Sequence, residues 1–201
     1  TEQSRKSGQY DYKKHNAMLD FDKPVTYGLQ TEEDWHFEHK AQLHNAIIQS
    51  QEVIKEVFDE FAKLTGRKYN LVEKYDSDDA DLIIVALGTS VESARFASKK
   101  MREKGFKTGV VSIRTLRPLP YIELGNALKN AKAIATMDRS LPAGAMGMLF
   151  NEVTAAIYQA QGTKYPVISN YIYGLGGRDL TQKHLENVYM QLNENAKAKK
   201  L

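Results

Sequence analysis

The chain has 201 residues, 28 Lys and Arg against 25 Asp and Glu, a formal net charge of +3 and no cysteine. That length suits one large domain, or a domain plus an arm, with enough chain for a sizeable core. The intermixed charges exclude the basic stripe of a nucleic-acid binder. The absence of cysteine excludes disulfides, thiolate zinc sites, a cysteine nucleophile and a cysteine-ligated iron–sulfur cluster within this chain.

No apolar run approaches the roughly 20 residues that span a bilayer. The N-terminus, Thr1-Glu-Gln-Ser-Arg-Lys6, carries no secretory apolar core. The expectation is therefore a cytoplasmic protein with neither a membrane nor a nucleic-acid partner. Lys197, Lys199 and Lys200 read as a solvated tail.

Residues 1 to 31 are polar, carry Gly8, Pro24 and Gly28, and show no sustained period. They read either as an arm lying on another surface, anchored by Tyr10, Tyr12, Met18, Leu19 and Phe21, or as a leader without fixed structure. Residues 32 to 201 read as the α/β domain. It opens on a long helix, in which Leu43, Ala46, Ile47, Ser50, Val53, Ile54, Val57, Phe58, Phe61 and Leu64 recur at steps of three and four. Such spacing predicts one buried face. Gly66 is its C-terminal stop.

Strands and helices then alternate. Tyr69 to Tyr75 is a short strand, and Asp76 to Asp79 a turn. Leu82 to Leu87 is a continuous apolar run, as in a strand covered on both faces. Gly88 turns the chain, and Thr89 with Glu92 forms a capping box for a helix ending at Gly105. Val110 to Ile113 is a strand, and Pro118 and Pro120 lead into a helix near Tyr121 to Lys129. Ala133 to Met137 is a strand, followed by a helix from about Met146 to Gln161. Val167 to Tyr173 is the last strand. Thr181 caps a final helix from Gln182 to about Asn195. This alternation predicts a mainly parallel sheet with helices on both faces.

Four loops carry the candidate site residues. Gly88-Thr89-Ser90 joins a strand to a helix, where backbone amides bind anions; a plain structural turn is the other reading. Arg114 and Arg117 flank a strand end, where sites of open parallel sheets gather. They form either an interface or ligand clamp, or internal pairs with Asp138 or Asp179. Asp138 is an acid or base by type, but no His or second carboxylate lies nearby in sequence, which favours a loop-fixing hydrogen-bond role. Arg139, Gly144 and Gly147 continue that loop.

The fourth loop, Gly174-Leu-Gly-Gly-Arg-Asp179, sets Gly174, Gly176 and Gly177 beside Arg178 and Asp179. It reads as a surface that another one approaches closely. His36 and His39 stand at helical spacing but fit no metal motif. There is no Gly-x-Ser-x-Gly elbow. The residues alone define ordered loops at one sheet edge, without a self-sufficient catalytic set.

Taken in order, these segments resemble the C-terminal part of the α subunit of pyruvate:ferredoxin (flavodoxin) oxidoreductase, or pyruvate synthase. Pro24-Val-Thr-Tyr-Gly28 with Gln42 and the long helix is similar to the family's link out of its pyrimidine-binding domain. Gly66-Arg67-Lys68-Tyr69, Val72 to Tyr75 and Asp79-Ala80-Asp81 are similar to its next signatures. The block Gly109 to Pro118, with Arg114 and Arg117, follows. Asp138-Arg139 with Gly144 and Gly147, and then Gly174 to Asp179, complete the set.

The resemblance implies a transketolase C-terminal-like domain, a three-layer α/β/α sandwich whose five-stranded mixed sheet has an antiparallel first strand. It implies oxidative decarboxylation of a 2-oxoacid with coenzyme A, electrons passing to ferredoxin or flavodoxin. Thiamine diphosphate, Mg2+ and [4Fe-4S] clusters would sit on other parts: pyrimidine-binding, diphosphate-binding, γ-type and ferredoxin-like domains or subunits. None of these cofactors is expected to bind this chain alone, and no catalytic residue is expected in it. The family's α subunit carries a pyrimidine-binding domain before the matched region, so the chain is expected to be a fragment or one half of a split α subunit.

Overall fold

The computed structural model describes residue 28, residues 30–162 and residues 165–198. By its internal contacts the chain divides into residues 1–45 and 46–201. The arm expected over residues 1 to 31 lies, but for residues 28, 30 and 31, outside the described residues.

The described part of the first unit, residues 28 and 30–45, consists of the first turns of helix α1 (Glu33–Thr65) and the residues just before it. Glu33 and Asp34 occupy the first turn, where negative charge meets the positive end of the helix dipole. Trp35 and Phe37 are exposed.

The second unit holds the rest of α1 and the α/β layers. In chain order these are β1 (Val72–Tyr75), β2 (Leu82–Ala86), α2 (Ser90–Glu103), β3 (Thr108–Ile113), α3 (Tyr121–Leu128), β4 (Ala133–Asp138), α4 (Met148–Gln161), β5 (Val167–Ile172), a 3-10 turn (Leu175–Gly177) and α5 (Gln182–Ala198). The strands lie in the order β1-β3-β2-β4-β5. β1 runs antiparallel to β3, and the other pairs are parallel. The expected mixed five-stranded sheet is therefore the observed one, and its antiparallel strand is the short first one.

The core follows from the apolar run in β2. Alternate side chains of a strand point to opposite faces. Leu82, Ile84 and Ala86 join a cluster with Val91, Ala94, Ala97 and Met101 of α2 and Leu185, Val188, Tyr189 and Leu192 of α5. Ile83 and Val85 join Leu124 and Leu128 of α3 and Leu149, Val153, Ala156 and Ile157 of α4. Two helices thus cover each face. On one face α3 and α4 approach so closely that a Cβ added at Gly125 would stand 2.4 Å from the Ala156 carbonyl oxygen. Glycine is required there by space, not by backbone angle.

Two expectations need correction. The Thr89–Glu92 capping box does not form: Thr89 is already helical (φ −67°, ψ −22°) and its side chain caps nothing. Glu92 instead takes Arg95 at 2.9 and 3.0 Å, the partner one turn along its own helix. The second concerns α1, in which no residue is buried. Its expected core face meets the domain at Phe58 and Phe61, which pack on Tyr69 with ring centroids 6.2 and 5.6 Å apart. Val53, Val57 and Leu64 remain exposed. Periodicity marks a face as apolar, but says nothing of whether this chain covers it.

Tyr189 anchors α5 to the sheet. Its hydroxyl donates to the Gly109 carbonyl at 2.9 Å, and the ring is fully buried. Burial pushes the hydroxyl above its ordinary value of 10.0, because charge is disfavoured without water. The folded state therefore holds Tyr189 protonated where the unfolded state releases the proton. Its contribution to stability is complete below pH 10.0 and declines as pH rises above it. Urea unfolding across pH 9 to 11 should show a steeper alkaline loss in the parent chain than in Tyr189→Phe; parallel slopes would refute the assignment.

A candidate loop site at the strand ends

Asp138 closes β4 and organises the loops around it. One carboxylate oxygen accepts the Ser140 amide at 3.0 Å, and the other accepts the Leu149 amide at 2.7 Å. Leu149 stands in the first turn of α4, whose N-cap is Gly147 and has no side chain to offer. Asp138 thus supplies from a strand end the capping acceptor that the helix lacks, with its charge at the positive end of the dipole. Asn170 of the neighbouring strand completes the arrangement. Its Oδ1 accepts the Gly147 amide at 2.9 Å, and its Nδ2 donates to Thr136 at 3.3 Å. The loop-fixing role expected of Asp138 is the observed geometry.

The adjacent loop follows β5. The Tyr173 amide donates to the Asp138 carbonyl at 2.9 Å, extending the β4–β5 pairing past the sheet. Gly174, Gly176 and Gly177 take φ values of +69°, +62° and +82°, the left-handed region that side chains rarely enter. At Gly174 space matters as well, since a Cβ would lie 2.9 Å from Arg139 Nε. At Gly176 and Gly177 a Cβ would meet nothing within 4 Å. The backbone turn accounts for those two glycines without any approaching surface. The features left facing outward are Leu175, Arg178 and Asp179, all exposed. Among the described residues neither Arg178 nor Asp179 has an ion-pair partner. Arg139 lies 6.0 Å from the Tyr173 ring centroid, so the β4 and β5 loops form one edge.

The remaining candidates lie elsewhere. Arg114 pairs with Glu73 at 3.4 Å and stacks over the Tyr69 ring at 4.2 Å. Arg117 bonds Glu152 and the Leu116 carbonyl, and Tyr121 donates to the same Glu152 at 3.1 Å. The internal partners are thus Glu73 and Glu152, not Asp138 or Asp179. Each carboxylate lies on an element that only the folded sheet brings near. Thr89 is exposed, and Ser90 donates its hydroxyl to the Leu87 carbonyl at 2.7 Å. Gly144, at φ +72°, shapes the β4–α4 loop.

Sequence reasoning missed Asn170, Glu73, Glu152 and Tyr69. Asn170 carried a signal as a polar residue inside an apolar strand, and Tyr69 and Glu73 stood in the motif segments without a role being read from them.

A cavity of about 790 Å³ lies away from this edge, between the end of α1, β1 and α3. Among its lining charges Lys55 pairs with Glu123, Lys74 with Asp78, and Glu73 with Arg114, while Asp59, Lys68 and Lys129 have no ion-pair partner among the described residues. Among the described residues no group of three or more His, Asp or Glu is arranged to hold a metal, and no helix is long and apolar enough to cross a membrane. With no cysteine, the chain has no thiolate ligands for an iron–sulfur cluster.

Fold and loops together define a doubly covered α/β domain in which Asp138, Arg114 and Arg117 hold structure while Arg178 and Asp179 face outward. Residues 80–185 match the family described as pyruvate:ferredoxin oxidoreductase core domain II. The chain belongs to that family, and the resemblance read from its motifs is borne out.

It is 35% identical to pyruvate synthase subunit PorA of Thermotoga maritima, over 86% of this chain and 43% of that protein. It is 32% identical to ketoisovalerate oxidoreductase subunit VorA of Pyrococcus abyssi, over 92% of this chain and 47% of that protein. The chain thus spans less than half the length of these relatives. Among solved structures, a split-gene transketolase in an inactive β4 tetramer aligns with a TM-score of 0.49 at 19% identity, over 63% of this chain and 43% of that one.

Replacing Asp138 with Ala should lower stability by about 1–3 kcal/mol, since two backbone amides lose their acceptor. Asp138→Asn should retain part of it. Denaturant unfolding of both variants checks this; an unchanged midpoint in Asp138→Ala would exclude the capping role.

Proposed function

We propose that this chain is a non-catalytic assembly domain, or split subunit, of a thiamine-diphosphate-dependent 2-oxoacid:ferredoxin oxidoreductase. The observation that carries the reading is that two of the family-matched loops end in groups occupied by structure. Asp138 caps α4, Arg114 pairs with Glu73, and Arg117 pairs with Glu152. The complete enzyme would convert a 2-oxoacid and coenzyme A to an acyl-coenzyme A and CO2, passing two electrons to ferredoxin or flavodoxin. Pyruvate is the first substrate to test. The cofactors supply that chemistry from other domains or subunits. This chain contributes the scaffold, and the edge formed by Arg139, Leu175, Arg178 and Asp179 faces a neighbouring domain or the coenzyme A approach.

A free-standing anion-binding module is the competing reading. Gly88-Thr89-Ser90 with Arg114 would be its site, but Arg114 pairs with Glu73 and no observation favours the loop as more than a structural turn. Anaerobic purification from the source cells separates the two readings. Co-elution with cluster-bearing polypeptides supports the first; a lone 22.7 kDa species supports the second.

The isolated chain, given pyruvate, coenzyme A, thiamine diphosphate and Mg2+, should not reduce viologen. Turnover comparable to that of an assembled enzyme would overturn the proposal.

Arg178→Ala should leave the unfolding midpoint unchanged, within about 0.5 kcal/mol, because the side chain is exposed. Assembly or turnover of the complex should fall. If assembly and turnover are both unchanged, the loop is an ordinary surface turn.

A further inference from the structure

The cavity between α1, β1 and α3 runs along an open edge of the sheet. β1 stands first in the strand order and pairs on one side only, with β3. The segment from Lys68 to Lys74 lines the cavity without a break. Phe58 and Asp59 of α1 stand on one side of it, and Asn126 and Ala127 of α3 on the other.

The bonding of β1 decides which of its backbone groups face this groove. Opposed residues of an antiparallel pair alternate between bonded and non-bonded positions. The Arg114 amide donates to the Leu71 carbonyl at 2.9 Å, which makes Leu71 a bonded position. Glu73 and Tyr75 then bond β3, opposite Ser112 and Val110. Val72 and Lys74 turn their N–H and C=O groups the other way. Among the described residues no backbone group of α1 or α3 bonds those four groups. Free backbone groups two residues apart along an edge are what an added strand pairs with.

Charge narrows the choice of strand. The pairs Lys55–Glu123, Lys74–Asp78 and Glu73–Arg114 close within the chain. Lys68, Lys129 and Asp59 are exposed and have no ion-pair partner among the described residues, which leaves two cations against one anion. Lys68 precedes the start of β1. Lys129 lies beside its far end, because the neighbouring Asn130 donates to the Asp78 carbonyl at 3.2 Å.

We infer that this groove binds an extended peptide segment with a carboxylate toward its ends, which adds to β1 as a further strand of the sheet. Main-chain bonds to Val72 and Lys74 hold the segment, and Lys68 and Lys129 take its carboxylates. Phe58, Val72 and Ala127, each half-buried, give its alternate side chains an apolar wall. The β1 strand of a second copy is a poor occupant: it lies between its own α1 and α3, and those helices would meet the walls of the groove. A small anion would use the lysines and leave the backbone row unused. The edge lies across the sheet from β5, so the inference does not depend on the proposed assembly role.

The probe is the peptide acetyl-Glu-Val-Thr-Val-Thr-Glu-amide, titrated to millimolar concentration into the full isotope-labelled chain. The Val72 and Lys74 amides should shift, and their hydrogen exchange should slow about tenfold or more. The Glu73 amide, already bonded to β3, should change little. Strand pairing uses every second peptide amide, so N-methylation of one alternate set should abolish binding and N-methylation of the other should spare it. Lys129→Glu, at an exposed position, should weaken binding about tenfold with an unchanged unfolding midpoint.

Shifts at the lysines without protection of Val72 and Lys74 would mean anion binding alone and would overturn the inference. So would equal binding by the two N-methylated forms, or the absence of any shift. Protection of both amides before peptide is added would show the groove already filled, by a second copy or by another part of this chain, and would overturn it as well.

Discussion

The structure depends on the burial of β2 on both of its faces. Five consecutive residues, Leu82 to Ala86, are 3% exposed or less. A strand covered on one side would alternate apolar and polar residues; this one cannot, because each face meets a helix pair. Fully burying a Leu, Ile or Val contributes about 1.5–3 kcal/mol relative to exposure, so this run holds the two clusters together. The helices divide between the two faces, α2 and α5 on one side and α3 and α4 on the other.

That arrangement brings the loops after β4 and β5 side by side, and there a single carboxylate does several jobs. Asp138 ends its strand, accepts the first amides of the following loop and helix, and through its carbonyl receives the chain leaving β5. A group so occupied is engaged in holding structure. The same holds for Arg114 and Arg117, whose carboxylate partners keep β1 and α4 in place. Leu175, Arg178 and Asp179 stand on the outside of this edge.

The helix α1 presents the opposite situation. The sheet domain hides its hydrophobic faces well, yet this long helix has no buried residue. Its apolar periodicity is as regular as that of a core helix.

Much of the fold was legible in the residues themselves. The apolar run of β2, the glycine-marked turns and the alternation of strand and helix periods determined a mainly parallel sheet covered on both faces, because these patterns depend on neighbours a few residues apart. The motifs likewise marked the family. Tertiary structure alone decided the partners. Glu73 lies 41 residues from Arg114, and Glu152 lies 35 from Arg117, so no local rule pairs them. It also decided that Thr89 would not cap its helix, that Asp138 would cap another, and that Val53, Val57 and Leu64 of α1 would stay exposed. A periodic pattern records which surface avoids water; which surface covers it is a property of the folded and assembled chain.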